Sequence, residues 1–107
     1  MREELAALAE RFTVIGDWRG LGAFFGIEFV RDRKTKEPVV AWQGTAGQGI
    51  MGEFYRALLD AGVWVSGKYS IVVIAPPLII TREELRDAFR IIARTLAEFE
   101  DRMLASA

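Results

Sequence analysis

The sequence predicts an α+β domain, a two-layer sandwich whose helices pack on one face of a three-stranded, mainly antiparallel sheet. Three observations predict it. Apolar residues recur at helical spacing in three segments, three other segments alternate or run with β-branched residues, and 107 residues suit one domain spanning 1–107. The resulting order is helix, strand, helix, strand, strand, helix. Elements with a single apolar stripe must stack in layers to bury it.

The first helix places Leu5, Leu8, Ala9 and Phe12 on one side and Glu3, Glu4, Glu10 and Arg11 on the other, ending near Phe12. A Gly-punctuated approach, Gly16-Asp-Trp-Arg-Gly-Leu-Gly22, leads into a strand over Ala23–Val30, with Phe25, Ile27 and Phe29 alternating onto one face. Arg31-Asp-Arg-Lys-Thr-Lys-Glu37 crowds four cations and two anions before Pro38, the composition of a solvated turn. After a Gly-rich loop over Gln43–Gly49, the stripe Ile50, Phe54, Ala57, Leu58 and Ala61 predicts a second helix, which Gly62 caps.

Val63-Trp-Val65 and Ile71-Val-Val-Ile-Ala75 read as an antiparallel hairpin around a turn at Gly67–Ser70, stopped by Pro76 and Pro77. Thr81-Arg-Glu-Glu84 has the spacing of a capping box and opens a long last helix with Leu85, Ala88, Phe89, Ile92, Leu96, Phe99 and Met103 on one stripe. Because Ile71 to Ala75 is apolar at every position, the second face of the sheet is expected to be covered by something beyond this chain.

Composition narrows the chemistry. Hydrophobic residues make up 51% before the ten glycines are counted, against about 45–50% with glycine included in an ordinary domain. A small domain this apolar is expected to leave a patch exposed. Fourteen Lys and Arg against fifteen Asp and Glu leave a net charge of −1, so there is no basic field for nucleic acid or an anionic membrane. The absence of Cys and His excludes a disulfide scaffold, a zinc finger, a catalytic thiol and a His base. It fits a cytoplasmic protein, as does an N-terminus without a signal-peptide core.

Each candidate motif has a structural alternative. Gly20, Gly22 and Gly26 miss the dinucleotide spacing and precede a strand where that fingerprint opens a helix. The Gly44–Gly49 loop lacks a P-loop ending. Glu83, Glu84 and Asp87 suit a helix N-terminus without any catalytic purpose. Three polar positions are left as candidate ligand contacts. Arg19, beside Trp18, can hold a carboxylate in its planar fork or cover the indole ring; Lys68, with Tyr69, projects from the expected hairpin tip next to Ser66, where a polar loop can reach a ligand or be an ordinary turn.

Two stretches taken together, Gly16-Asp-Trp-Arg-Gly-Leu-Gly22 running into Gly26-Ile-Glu-Phe-Val30, and Ile71-Val-Val-Ile-Ala-Pro-Pro-Leu-Ile-Ile-Thr81 before a helix, resemble the C-terminal small domain of class III aminotransferases. The Arg31–Pro38 segment is similar to that family's loop after the first small-domain strand. The resemblance implies a fold-type I enzyme that uses pyridoxal 5'-phosphate to pass an amino group from an amino donor to a keto acid, works as a homodimer, and carries its Schiff-base lysine and phosphate loop in a large domain missing here. Lys34, Lys36 and Lys68 do not match that lysine's motif, so no catalytic and no cofactor-binding residue is assigned.

Counting back from Pro76-Pro77, the position where many members carry a carboxylate-binding arginine falls on Ser66, with Lys68 a possible point charge nearby. Glu37-Pro-Val-Val-Ala-Trp42 is similar to the taurine and ω-amino acid branch. The expectation is a separated small domain, inactive alone. Its alternatives are a stand-alone small-molecule-binding module and a homo-oligomerisation module.

Overall fold

A computed structural model describes residues 1–21, 24–40, 48–68, 70–77 and 79–105. The chain forms α1 (Arg2–Arg11), β1 (Ile15–Leu21), β2 (Phe24–Asp32), β3 (Glu37–Pro38), α2 (Gln48–Asp60), β4 (Ser66–Lys68), β5 (Ile71–Ile74) and α3 (Arg82–Ala105). The α+β two-layer class is the expected one, with the three helices on the sheet. The sheet itself has five strands where the sequence suggests three: β1-β2-β5-β4 in antiparallel order, with β3 paired to the far end of β2.

Both additional strands have physical reasons. β1 covers the segment that reads as a glycine-rich approach, and its glycines serve contact more than turning. A Cβ on Gly16 would lie 2.5 Å from Val30 Cγ1, and one on Gly20 would lie 2.7 Å from Phe25 Cα. Only glycine lets β1 lie this close against β2. β3 is two residues that close the charged turn back onto Val30 and Asp32.

The hairpin also starts later than Val63. Gly62 (φ +98°) ends α2 with Gly62 N–H donating to Leu59 O at 3.0 Å and Val63 N–H to Leu58 O at 2.8 Å, the paired bonds of a Schellman cap. Val63 is thereby committed to the helix end, and the ladder begins at Ser66 and runs through Gly67 and Lys68, two positions expected to be turn. β5 stops at Ile74, ahead of Pro76-Pro77.

The charged turn also departs from expectation, because it anchors the fold. Arg33 donates to three main-chain oxygens, Ala9 O at 2.7 Å, Phe12 O at 3.0 Å and Ile15 O at 3.1 Å. Its guanidinium thus ties together carbonyls at the end of α1, where a helix leaves main-chain oxygens short of partners, and at the start of β1. Lys36 sits at φ 63° and its Nζ donates to Gly16 O at 2.6 Å. Arg2 donates to Gly20 O at 2.7 Å, so cations occupy carbonyls at both ends of β1.

The core lies between the helices and one face of the sheet. Phe25, Ile27 and Phe29 of β2 and Val72 and Ile74 of β5 are buried against Leu5, Leu8, Phe54, Leu58, Phe89, Ile92 and Leu96. Phe54 is the hub of the aromatic packing, 5.6 Å from Phe29 and 5.9 Å from Phe99, both edge-on, the arrangement ring quadrupoles favour. Thr81 and Glu84 close the capping box predicted for α3: Glu84 N–H to Thr81 Oγ1 at 3.1 Å and Thr81 N–H to Glu84 Oε1 at 3.0 Å. Among the described residues no helix is long and apolar enough to cross a membrane.

Two predictions follow from these bonds. Arg33→Met keeps the aliphatic stem and removes the donors; thermal unfolding is expected to show a loss of about 1–2 kcal/mol and a Tm lower by roughly 5–15 °C, with Lys34→Met unchanged. At the α3 cap, the bonds from Thr81 hold the Glu84 carboxyl below the usual glutamate range. The folded carboxyl therefore titrates below the unfolded one, so the cap contributes above that range and its contribution falls as pH drops through the lowered folded value. The stability gap between wild type and Glu84→Ala, measured by urea unfolding, is expected to narrow on acidification.

Candidate functional site

β-strand alternation sends one set of side chains to the helices and the other to the outer face of the sheet. Tyr55 of α2 lies against Gly67, which marks the helix side of β4 and puts Ser66 on the outer side. The registers then build two rows across the outer face. One runs Arg19, Gly26, Val73, Ser66; the next runs Asp17, Glu28, Ile71, Lys68. The three candidate positions therefore share one face. Arg19 and Ser66 stand three strand spacings apart, about 14 Å, too far for one small group to touch both backbones.

Arg19 does not cover Trp18. The indole turns to the helix side, its centroid 6.2 Å from that of Phe25, while Arg19 on the opposite side binds Asp17 Oδ2 at 3.0 Å and Glu28 Oε2 at 3.1 Å. Asp17 and Glu28 are directly opposed across the β1–β2 ladder, a repulsive placement for like charges, and the diagonal guanidinium bridges the two and offsets part of that repulsion. The Glu28 hydrogen bond, followed by its charge, raises the Arg19 pKa above the usual arginine value. All three side chains are 42–60% exposed, so the triad contributes well under about 1 kcal/mol while water reaches it.

Between the triad and the polar positions on β4, the outer face is largely apolar. Val30, Pro38, Val40 and Ile71 line a groove of about 400 Å³, with Asp17, Glu28 and Lys36 around it. Ser70 closes its floor: its Oγ accepts from Val40 N–H at 2.7 Å and donates to Val40 O at 3.3 Å. At the other end of the face Leu21 is 82% and Phe24 64% exposed. This is the uncovered apolar surface that the sequence anticipates.

Asp17, Glu28 and the groove are features that single-residue reasoning missed. The signal for them is the mirror pairing of the hairpin: once Leu21 faces Phe24, counting outward puts Asp17 opposite Glu28. The Lys68 side chain, Tyr69, and the Gly44–Gly47 and Ala41-Trp42 parts of the loops weighed above lie outside the described residues.

Pyridoxal 5'-phosphate, which the resemblance implies, needs an uncommitted lysine amine in an enclosed site and N–H donors for its phosphate. Among the described side chains, Lys34 stands exposed on the charged turn and Lys36 is bonded to Gly16 O. The first turns of α1 and α3 carry Glu3 and Glu4, and Glu83 and Glu84, which oppose a phosphate at those helix ends. The described residues do not fit the cofactor.

Comparison with known proteins gives a consistent answer. Residues 1–96 match the family model for aminotransferase class-III. The (R)-1-hydroxy-2-aminoethylphosphonate ammonia-lyase of Vibrio splendidus is 31% identical over 98 residues, covering 92% of this chain and 19% of that protein. The taurine–pyruvate aminotransferase of Rhodobacter capsulatus is 38% identical over 88 residues, covering 76% of this chain and 18% of that one.

Among solved structures, the taurine:2-oxoglutarate aminotransferase of Bifidobacterium kashiwanohense, in complex with PLP and glutamate, superposes with a TM-score of 0.86 over 95% of this chain and 22% of its own, at 24% identity, a likeness of fold. The chain spans about a fifth of the length of the relatives it matches. By sequence and by fold, the chain belongs to the class-III aminotransferase family.

Proposed function

We propose that this chain is the C-terminal small domain of a pyridoxal 5'-phosphate-dependent aminotransferase and is catalytically inactive by itself. The observation that carries the reading is a family match across residues 1–96 in a chain about one fifth the length of its relatives. The lack of a fitting lysine among the described side chains supports it. A large domain supplies the cofactor site, the enzyme acts as a cytoplasmic homodimer, and the small domain contributes one wall of the substrate site.

That wall is the outer face of the sheet. Arg19 is charged, but its guanidinium is already shared between Asp17 and Glu28, so it offers an incoming anion little. Ser66, exposed on β4, offers a hydroxyl in place of a bidentate fork, and Lys68 supplies at most a point charge. A substrate whose acid end relies on one hydrogen bond and a lysine is held less tightly than one clamped by arginine. The named relatives act on taurine and an aminoethylphosphonate, compounds with an amine at one end and a strong acid at the other. Small donors of this kind, with a keto acid as acceptor, are the substrate class proposed here.

The reading is tested by adding pyridoxal 5'-phosphate, taurine or β-alanine, and pyruvate or 2-oxoglutarate to the purified chain. No amino transfer is expected from the chain alone, and turnover by it would refute the proposal. In an enzyme that contains this domain, Ser66→Arg is expected to lower KM for carboxylate-bearing substrates by about tenfold, the worth of one added charged hydrogen-bond pair. An unchanged KM would remove Ser66 from the site.

A further inference from the structure

A glycine inside a strand weakens it, because it loses more backbone freedom on folding than any other residue and has no side chain to pack. Gly16 and Gly20 have a local reason to be there, since a Cβ on either would strike Val30 or Phe25. Gly26, in the middle of β2, has none. It pairs with Arg19 on one side and Val73 on the other, and neither ladder is irregular beside it. Its φ lies outside the left-handed region, which among the described glycines only Gly62 occupies. A Cβ built on Gly26 would meet, among the described residues, only Val72 O at 4.0 Å, an ordinary contact.

With a turn, a bulge and internal crowding set aside, the remaining reason for a strand glycine is the close approach of something from outside the chain. Gly26 faces the outer side, because its neighbours Phe25 and Ile27 are buried toward the helices. In the row Arg19, Gly26, Val73, Ser66 it leaves a notch one side chain deep. Arg19 does not fill the notch, since Asp17 and Glu28 draw its guanidinium toward the next row. Ser66 stands two strand spacings from Gly26, about 10 Å. A hydrogen bond of about 3 Å and a two-carbon donor about 5 Å from end to end span most of that distance.

We propose, resting on the reading of the outer face as the substrate wall, that Gly26 is a specificity-determining residue of that wall. The space left by its absent side chain receives the body of a small donor whose acid end is held at Ser66. Gly26 supplies room and no bond, so it acts on binding and leaves the chemical step alone. A methyl group at this position narrows the notch, and a valine fills it.

A glycine kept for the fold and a glycine kept for a ligand respond in opposite ways to alanine. Where a Cβ fits, alanine removes the entropic penalty and stabilises the chain. Stability gained and binding lost at one position is therefore the signature of a site that the fold does not need as it stands.

Thermal unfolding of the 107-residue chain is expected to place G26A roughly 2–8 °C above the wild type. G52A, at an exposed glycine of α2 with open space around it, is expected to gain a similar amount. A G26A chain that melts below the wild type would overturn the proposal, because the glycine would then serve the fold.

In the enzyme that carries this domain, G26A is expected to raise KM for taurine or β-alanine about tenfold, the worth of one added methyl group in a fitted pocket. G26V is expected to raise it further, with kcat held within about twofold in both variants. G52A, on the helix layer away from the outer face, is expected to leave both constants unchanged. Amino transfer with an unchanged KM in G26A and G26V would overturn the role of Gly26 alone. A wild-type enzyme without amino transfer would overturn the aminotransferase reading, and the role of Gly26 with it. The melting temperature of each variant separates lost binding from lost folding, and G26A carries the test if G26V does not fold.

Discussion

The close approach of β1 to β2 is the constraint on which both faces of the sheet depend. Gly16 and Gly20 leave no room for a Cβ against Val30, the Phe24 carbonyl and Phe25, so any side chain there would push the strands apart. The ladder that this approach permits runs from Leu21↔Phe24 to Asp17↔Glu28, with one irregularity before Ile15. On the helix side it presses Trp18 toward Phe25. On the outer side it brings Glu28 within reach of Arg19. Loss of the approach would therefore disturb a core contact and the polar triad together, although the two lie on opposite faces.

What holds β1 in place comes from far along the chain. Arg33 collects carbonyls from Ala9, Phe12 and Ile15, and Glu100 of α3 accepts from Val14 N–H at 3.2 Å. Between them these side chains satisfy main-chain groups at the α1–β1 junction, where neither helix nor ladder supplies partners. Lys36 tolerates φ 63°, an uncommon conformation for a residue with a Cβ, while its amine is tied to Gly16 O. Surface charges at this junction therefore act through hydrogen bonds to backbone more than through ion pairs, which are worth little when exposed.

Periodicity made the helices legible, because Leu5, Leu8, Phe54, Leu58, Phe89, Ile92 and Leu96 repeat at the spacing of one buried stripe, and the Thr81–Glu84 box marked the start of α3 in advance. β1 was not legible for a physical reason. Its glycines serve close packing against a strand that the local sequence cannot reveal, and their composition is that of a turn. The β4 boundary moved because a helix cap consumed Val63, a competition decided by main-chain hydrogen bonds and not by β-propensity. The outer face was partly legible: the apolar run in β5 signalled a second apolar side, but the meeting of Arg19 with Asp17 and Glu28 depends on the register of β1, which the local sequence does not reveal. Lys36 and Arg33 gave no local sign of their roles, since a cation in a polar turn looks the same whether it faces water or a distant carbonyl.

The outer face combines exposed apolar residues with a charge cluster that is already paired, and this combination decides how it can be covered. Burying a lone guanidinium costs several kcal/mol, whereas Arg19 enters any interface with two carboxylates at hydrogen-bond distance. The triad that contributes little in water therefore lets Leu21, Phe24 and Ile71 be covered without stranding the guanidinium.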